Sequence, residues 1–100
     1  MKDVQMDLTH SIIEYRRHLK RRNFSGHTVI NYMSSIKLFI MWLKVPVQEV
    51  TYSHISAYID HLLDKRMHPQ SINNNLYRIR GFYDFLHYDK GMFIKNPVRE

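Results

Sequence analysis

A dense run of cations is the first feature of this sequence that could do chemistry. The run Arg16-Arg17-His18-Leu19-Lys20-Arg21-Arg22 holds six basic or potentially basic side chains in seven positions. The helix dipole favours cations at the end of a helix, but this accounts for only about two or three of them. The run therefore predicts contacts with phosphate groups. A solvated, highly charged helix end is the alternative.

Uncharged polar side chains recur at helical spacing in two other places. His27, Asn31 and Ser35 are one turn apart and predict a short polar ridge. Further along, polar residues cover the face opposite an apolar stripe: Gln70, Asn73, Asn74, Tyr77, Arg80 and Asp84. Asparagine is a poor residue for a helix interior, so helix stability does not explain this choice. Amides and imidazoles can hydrogen-bond to base edges, which makes both surfaces candidates for base contact, with a tolerated polar surface as the alternative.

The sequence gives no support for catalysis or metal binding. A nucleophile needs an activating base and an orienting group, and no Arg/His cluster is arranged around the tyrosines expected to be exposed, Tyr52, Tyr77 and Tyr88. His54 and His61 could share a helix face, but zinc sites need about three or four convergent ligands. We therefore predict no catalytic residue, no metal and no cofactor.

Composition favours a single basic globular domain. The chain has 100 residues, of which 44% are hydrophobic, and a formal net charge of +6. Such a balance favours nucleic acids or other anionic partners. The absence of cysteine excludes disulfides and thiolate metal sites and fits a reducing compartment. No signal peptide or membrane-spanning run is recognisable at the sequence level.

Hydrophobic periodicity predicts four helices and an all-α, compact four-helix bundle. The apolar stripes are, in chain order, Leu8, Ile12, Tyr15 and Leu19; Val29, Tyr32, Met33, Ile36, Phe39, Ile40 and Leu43; Ile55, Tyr58, Ile59, Leu62 and Leu63; Ile72, Leu76, Ile79, Phe82, Tyr83 and Leu86. The predicted boundaries are Asp7 or Thr9, Ser25, and Thr51 or Ser53 as caps of the first three helices, Pro46 as the end of the second, and Pro69 as the start of the fourth.

The most specific pattern is the stretch from Ser71 to Leu86, SINNNLYRIRGFYDFL. It resembles the T-I-N-x-x-L-x-x-L-R-x-F-Y-x-x-L helix in the core-binding domain of tyrosine recombinases, the family of phage and transposon integrases. Gly91 and Asn96-Pro97 follow at the distance usual in that family. Further matching stretches are Ser25 to Tyr32, Phe39, Trp42-Leu43 and Val50-Thr51, so the resemblance extends over about residues 8–97. It implies the SAM-like fold of that domain.

The resemblance also implies that the second and fourth helices cross the major groove of duplex DNA. Together with the polar surfaces above, it predicts base contacts from His27, Asn31, Ser35, His68, Gln70, Ser71, Asn73, Asn74 and Tyr77. The predicted phosphate contacts are Arg16, Arg17, Lys20, Arg21, Arg22, Thr28, Lys37, Arg78 and Arg80. His27 and His68 replace a lysine and a small hydroxyl residue that are common in the family, and Asn74 and Asn75 replace frequent arginines. These departures imply either weaker phosphate binding or a shift of phosphate contact towards the Arg16–Arg22 cluster.

The same resemblance suggests how the chain is organised. Residues 1–97 are predicted to be the core-binding domain and residues 98–100 the start of a linker to a catalytic domain. No counterpart of the family's catalytic residues is found, so we expect a chain that is not an enzyme on its own but belongs to a DNA breaking-rejoining enzyme.

The expected partner is double-stranded DNA. We expect the full-length protein to be a tetramer on DNA and the isolated domain to be a monomer. The expected location is the cytoplasm and nucleoid of a bacterium or phage host, away from membranes. The alternative is a helical protein–protein interaction module with a basic surface. An exposed apolar patch around Met41, Trp42 and Val45–Val47 would favour this alternative.

Overall fold

The computed structural model describes residues 8–92 and 94–98, and these residues form an all-helical domain. Its four α-helices are α1 (Leu8–Arg21), α2 (Gly26–Trp42), α3 (Tyr52–Asp64) and α4 (Pro69–Asp84). A 3-10 turn, Val47–Glu49, precedes α3, and a π-helical turn, Phe85–Asp89, continues α4. No strand occurs within the described ranges. The predicted all-α bundle of four main helices is confirmed.

α4 is the helix around which the others pack. Its contact with α2 is the most extensive between two helices, and it also packs against α3 and the π-helical turn, while α1 packs against α2. α1 comes close to α4 at Gly81, where an added Cβ would lie 2.9 Å from Tyr15 Oη. The α-helical core residues are Tyr15, Leu19, Val29, Tyr32, Ile36, Phe39, Ile55, Tyr58, Leu62, Ile72, Ile79, Phe82 and Tyr83.

Two helix starts have the capping residues that the sequence predicts. The Ser25 hydroxyl accepts a hydrogen bond from the Thr28 amide at 3.1 Å and so caps α2. Thr51 caps α3 in a reciprocal pair in which His54 Nδ1 accepts from the Thr51 amide at 3.0 Å. The first bond satisfies a first-turn amide of α2, and the second satisfies the amide of the cap residue itself, neither of which has a partner within its helix.

Other boundary predictions are wrong. Thr9 and Ser53 lie inside α1 and α3 and therefore cap neither helix, while the other candidate for α1, Asp7, lies outside the described residues. α2 ends at Trp42, well before Pro46, and Leu43 already has an extended backbone with ψ of 143°. The ring of a proline clashes with the carbonyl group four residues before it in a helix, which for Pro46 is that of Trp42, so the helix ends there and Pro46 instead precedes the 3-10 turn.

One predicted core position is also wrong. Leu63 is 51% exposed, although the sequence places it in the apolar stripe of α3. Successive residues of a helix are about 100° apart, so Leu62 and Leu63 cannot both face the centre of the bundle. Leu62 is the buried one.

The segment after the π-helical turn is bound to α4. Gly91 has φ of 68°, a left-handed conformation that glycine adopts at little cost and that reverses the chain. Asn96 Nδ2 then donates to the Arg80 carbonyl oxygen at 3.0 Å and to Asp84 Oδ1 at 2.9 Å. Pro97 is buried beside it. The segment 94–98 thus lies along α4 as a strap.

A buried tyrosine connects α4 to the turn before α3. Tyr83 has no exposed surface, and its hydroxyl donates to the Val47 carbonyl oxygen at 2.6 Å. Tyr58 is equally buried, but its hydroxyl has no hydrogen-bond partner among the described residues. Burial raises the pKa of Tyr58 to about 12 and raises the pKa of Tyr83 well above its ordinary value, so both rings are neutral at physiological pH.

The two tyrosines make a matched pair of stability tests. We expect Tyr83→Phe to lower the free energy of unfolding by about 1–2 kcal/mol, because it removes a buried hydrogen bond. Tyr58→Phe should leave that free energy unchanged or raise it by up to about 1 kcal/mol, because it removes a hydroxyl that is buried without a partner. Urea denaturation followed by circular dichroism measures both. Equal losses in the two variants would contradict the assignment.

Candidate nucleic-acid interface

The cations of the Arg16–Arg22 cluster all face solvent except for its histidine. Arg16, Arg17, Lys20 and Arg21 are exposed along the last turns of α1, and Arg22 is exposed directly after it. His18 is half-buried: its ring stacks on Tyr15, and its Nδ1 lies 3.5 Å from Asp89 Oδ2. The five arginines and lysines are therefore accessible to an anionic surface, whereas the histidine packs α1 against the π-helical turn.

The polar ridge on α2 is shorter than predicted. His27 is exposed and Asn31 is half-buried, but Ser35 is only 2% exposed. Its hydroxyl accepts a hydrogen bond from Arg78 Nη1 at 3.1 Å. The prediction that Ser35 contacts a base is therefore wrong, because α2 turns this side chain towards α4. Ser35 instead supports an arginine.

Arg78 is held between α2 and α4. Besides its bond to Ser35, its guanidinium carbon lies 5.9 Å from the centre of the Tyr32 ring, and burial raises the pKa of that tyrosine. Arg78 is half-buried, so part of the side chain still reaches the surface. An arginine fixed in this way loses little further freedom when it binds an anion.

The outer face of α4 carries the predicted polar side chains. Ser71, Asn73 and Asn74 are exposed, and Gln70 Nε2 donates to Asn74 Oδ1 at 3.1 Å. This bond uses one donor of Gln70 and one lone pair of Asn74, so each amide keeps further hydrogen-bonding groups. The pair is held side by side at the start of the helix.

His68 and Thr28, two further predicted contacts, take part in helix caps. His68 Nδ1 accepts from the Gln70 amide at 3.0 Å, and Pro69 follows it at the first helical position, as predicted. The Thr28 hydroxyl accepts from the Ser25 hydroxyl at 2.9 Å. Because Nδ1 accepts, Nε2 carries the proton of the neutral His68 ring and remains a donor. The predicted contact at Lys37 is also on the surface, since that side chain is exposed on α2.

α1 and α4 meet in a cleft that joins the cationic cluster to the polar face of α4. The cleft has a volume of about 350 Å³, and Arg22, Tyr77 and Arg80 are among the residues that line it. Tyr77 is 58% exposed, and the Arg80 guanidinium carbon lies 5.3 Å from the centre of its ring. A smaller hollow beside it brings Asn73 to the same Tyr77 and Arg80. Residues that are far apart in sequence thus form one surface with fixed cations, an aromatic ring and amides.

Asn75 differs from its two asparagine neighbours, because it is only 7% exposed. Its Nδ2 donates to the Ser71 carbonyl oxygen at 2.8 Å and lies 3.6 Å from Met67 Sδ. The signal was present in the sequence, because Asn75 lies three residues after Ile72 and four before Ile79, in the apolar stripe itself.

The described residues contain no group of three or more side chains that could hold a metal ion, and no helix within them is long and apolar enough to cross a membrane. The carboxylates next to the cationic cluster are engaged. Lys90 bonds to Glu14 and, together with His10 and Arg17, holds the pKa of that carboxyl below its usual value. Asp84 accepts from Asn96.

A sequence model of the N-terminal SAM-like domain of phage integrases matches residues 12–90. The chain belongs to this family. This chain, which we call the integrase SAM-like domain, also matches part of several longer proteins that are named tyrosine recombinases. Tyrosine recombinase XerC of Treponema denticola is 34% identical over 67 residues, which cover 64% of this chain and 22% of the relative.

Tyrosine recombinase XerC of Bacillus subtilis is 28% identical over 82 residues, or 78% of this chain and 27% of the relative. Tyrosine recombinase XerD of Chlorobaculum tepidum is 32% identical over 68 residues, or 65% and 22%. The integrase SAM-like domain therefore spans about a quarter of the length of the curated relatives that it matches. No solved structure matches it significantly.

The support that Ser35 gives to Arg78 can be tested in this integrase domain. Ser35→Ala should lower the free energy of unfolding by about 1–2 kcal/mol, because a partly buried guanidinium loses an acceptor. Ser34→Ala is the matched control, since Ser34 is the preceding residue and is exposed. The control should change stability by less than about 0.5 kcal/mol in urea denaturation. A loss in the control as large as in Ser35→Ala would contradict the role assigned to Ser35.

Proposed function

We propose that this chain is the DNA-binding, core-binding domain of a tyrosine recombinase, which grips duplex DNA at the recombination core site. The observation that carries the proposal is the cleft in which Arg22 of the cationic cluster meets Tyr77 and Arg80 of α4. Phosphates and bases are presented together along a DNA groove, and a protein that reads them needs cations and amides on one continuous surface.

In this proposal the phosphate contacts come from two sources. The exposed side chains of the cluster provide the first set of cations: Arg16, Arg17, Lys20, Arg21 and Arg22. Arg78 and Arg80 provide cations that are already positioned on aromatic rings. Lys37 and Thr28 on α2 complete the set. Together these groups would fix the position of the domain on the duplex without reading its sequence.

Base contacts are assigned to the outer polar faces of α2 and α4. The bonded pair Gln70–Asn74 suits an adenine edge, which offers one acceptor and one donor in the major groove. Asn73 and Tyr77 lie on the same face of α4, and His27 and Asn31 lie in the first turns of α2. Since α2 and α4 pack closely, their outer faces could enter the groove side by side.

Strand cleavage and rejoining would belong to another part of a longer protein. The relatives named as tyrosine recombinases are about four times as long as the matched region. We propose that residues 1–97 are the DNA-gripping unit, that residues 98–100 begin the linker, that the full-length protein acts as a tetramer on DNA and that this domain alone is a monomer. Residues 1–7, 93, 99 and 100 lie outside the described residues.

The salt dependence of binding tests the phosphate contacts. A duplex selected by the domain from a randomised pool is labelled and titrated by fluorescence anisotropy at several salt concentrations. If roughly six phosphates are contacted, log affinity should fall with log salt at a slope of about −5. Arg21→Ala should make the slope less steep by about 1, whereas Lys65→Ala, an exposed cation after α3, should leave it unchanged. A flat dependence, or no binding at low salt by a folded sample, would overturn the proposal.

The base contacts have a separate signature. Asn74→Ala should weaken binding to the selected duplex by about tenfold while leaving the salt slope and the affinity for unselected duplex nearly unchanged. Ser56→Ala on α3 is the control, since Ser56 is exposed and α3 is assigned no DNA contact. A uniform loss on all duplexes would assign Asn74 to the phosphate contacts instead.

A further inference from the structure

The domain has a second surface of a different kind, a groove between the C-terminal part of α2 and the end of α3. It has a volume of about 450 Å³. The residues that line it are mostly apolar or aromatic, with two lysines: Leu38, Met41, Trp42, Lys44, Tyr58, His61, Leu62, Lys65 and Met67. The groove shares no lining residue with the cleft between α1 and α4.

Large apolar side chains are exposed at this groove. Met41 is 71% exposed and Leu38 is 50% exposed. The sequence suggests a patch of Met41, Trp42 and Val45–Val47, but the structure buries Val47 and brings Leu38 and residues of α3 to Met41 instead. Leu38 lies about two helical turns beyond Asn31, so one exposed face of α2 changes from polar to apolar along its length.

The two lysines that line the groove give it a positive charge. Lys44 follows α2 and Lys65 follows α3, and both are exposed. No aspartate or glutamate from the described part of the chain lines the groove. A second copy of this chain, with its formal net charge of +6, is a poor match for such a surface, whereas an acidic segment is complementary to it.

We propose that this groove binds an amphipathic helix of another protein, with its apolar stripe on Leu38, Met41 and Trp42 and its acidic residues near Lys44 and Lys65. A helix laid into an apolar groove is a common mode of peptide recognition. The Trp42 ring lies 5.0 Å from the Tyr58 ring and 5.9 Å from the His61 ring, which provides an aromatic floor for aliphatic side chains. This interaction is independent of DNA binding and uses a different surface.

The chain has a single tryptophan, Trp42, which makes the groove directly observable. The probe is a synthetic helical peptide of about 16 residues with leucines at positions i, i+3, i+4 and i+7 and glutamates on both sides of that stripe. Added to the whole chain, it should shift the Trp42 emission to shorter wavelength with a Kd of about 10–100 µM. The same peptide with lysines in place of the glutamates should bind at least about tenfold more weakly.

Variants locate the binding site. Lys44→Glu with Lys65→Glu should weaken binding of the acidic peptide by about tenfold. The matched control, Lys20→Glu with Lys95→Glu, changes the net charge equally at exposed positions that do not line the groove and should have an effect of less than about twofold. Met41→Ala should also weaken binding, and circular dichroism checks that each variant is folded.

Four results would overturn the proposal: no peptide binding, equal binding of the acidic and basic peptides, equal losses in the two charge-reversal pairs, or displacement of the acidic peptide by duplex DNA. Concentration-dependent self-association in sedimentation that Met41→Ala abolishes would also overturn it, because the groove would then hold a second copy of the chain. The DNA-binding proposal stands or falls separately, since the groove charge reversal should leave the salt slope of duplex binding within about 1 of its original value.

Discussion

The division of α4 into one face that packs in the core and one face that points outwards is the constraint on which the rest of the molecule depends. This helix is in contact with α2, α3 and the π-helical turn, so one of its faces has to satisfy a dry core. Ile72, Ile79 and Phe82 fill that face, and even the asparagine within it has its amide bonded inside the helix. The opposite face is thereby directed outwards in a single register. A slip of one residue would bring the exposed amides into the core, where polar groups without partners are costly.

A thin polar layer between α2 and α4 refines this arrangement. Ser35 and Tyr32 on α2 hold the guanidinium of Arg78 on α4, so the relative position of the two helices is set by a directed contact as well as by apolar packing. Apolar side chains can slide past one another at small cost, whereas a hydrogen bond to a hydroxyl has a narrow geometry. An arginine on the outer surface is therefore connected to the packing inside the domain.

The helices, their order and most of their core were predictable from the sequence because apolar spacing and capping residues are local signals. Leu63 and the end of α2 were not, since periodicity does not say which of two adjacent leucines faces inwards or how early a chain unwinds before a proline. The surface was less predictable than the core. Ser35 and Asn31 have the same spacing pattern, and only the position of α4 decides that one of them is buried. The cleft brings together residues of α1 and α4 that are more than fifty positions apart in the sequence. The π-helical turn is not predicted by any local pattern of residues. Both features therefore became visible only in the tertiary structure.

The strap has a mechanical consequence for anything attached after it. Asn96 is bonded to Asp84, so any tether is counted from the strap and not from the π-helical turn that ends at Asp89. Without the strap the tether would begin after Asp89, and a flexible segment of about nine residues has a root-mean-square reach of about 17 Å, so a following segment could move over much of the domain surface. With the strap, its tether begins at a fixed point beside Arg80. The effective concentration of an attached unit near the outer face of α4 is then set by the residues after Val98 alone, and short tethers keep that concentration high.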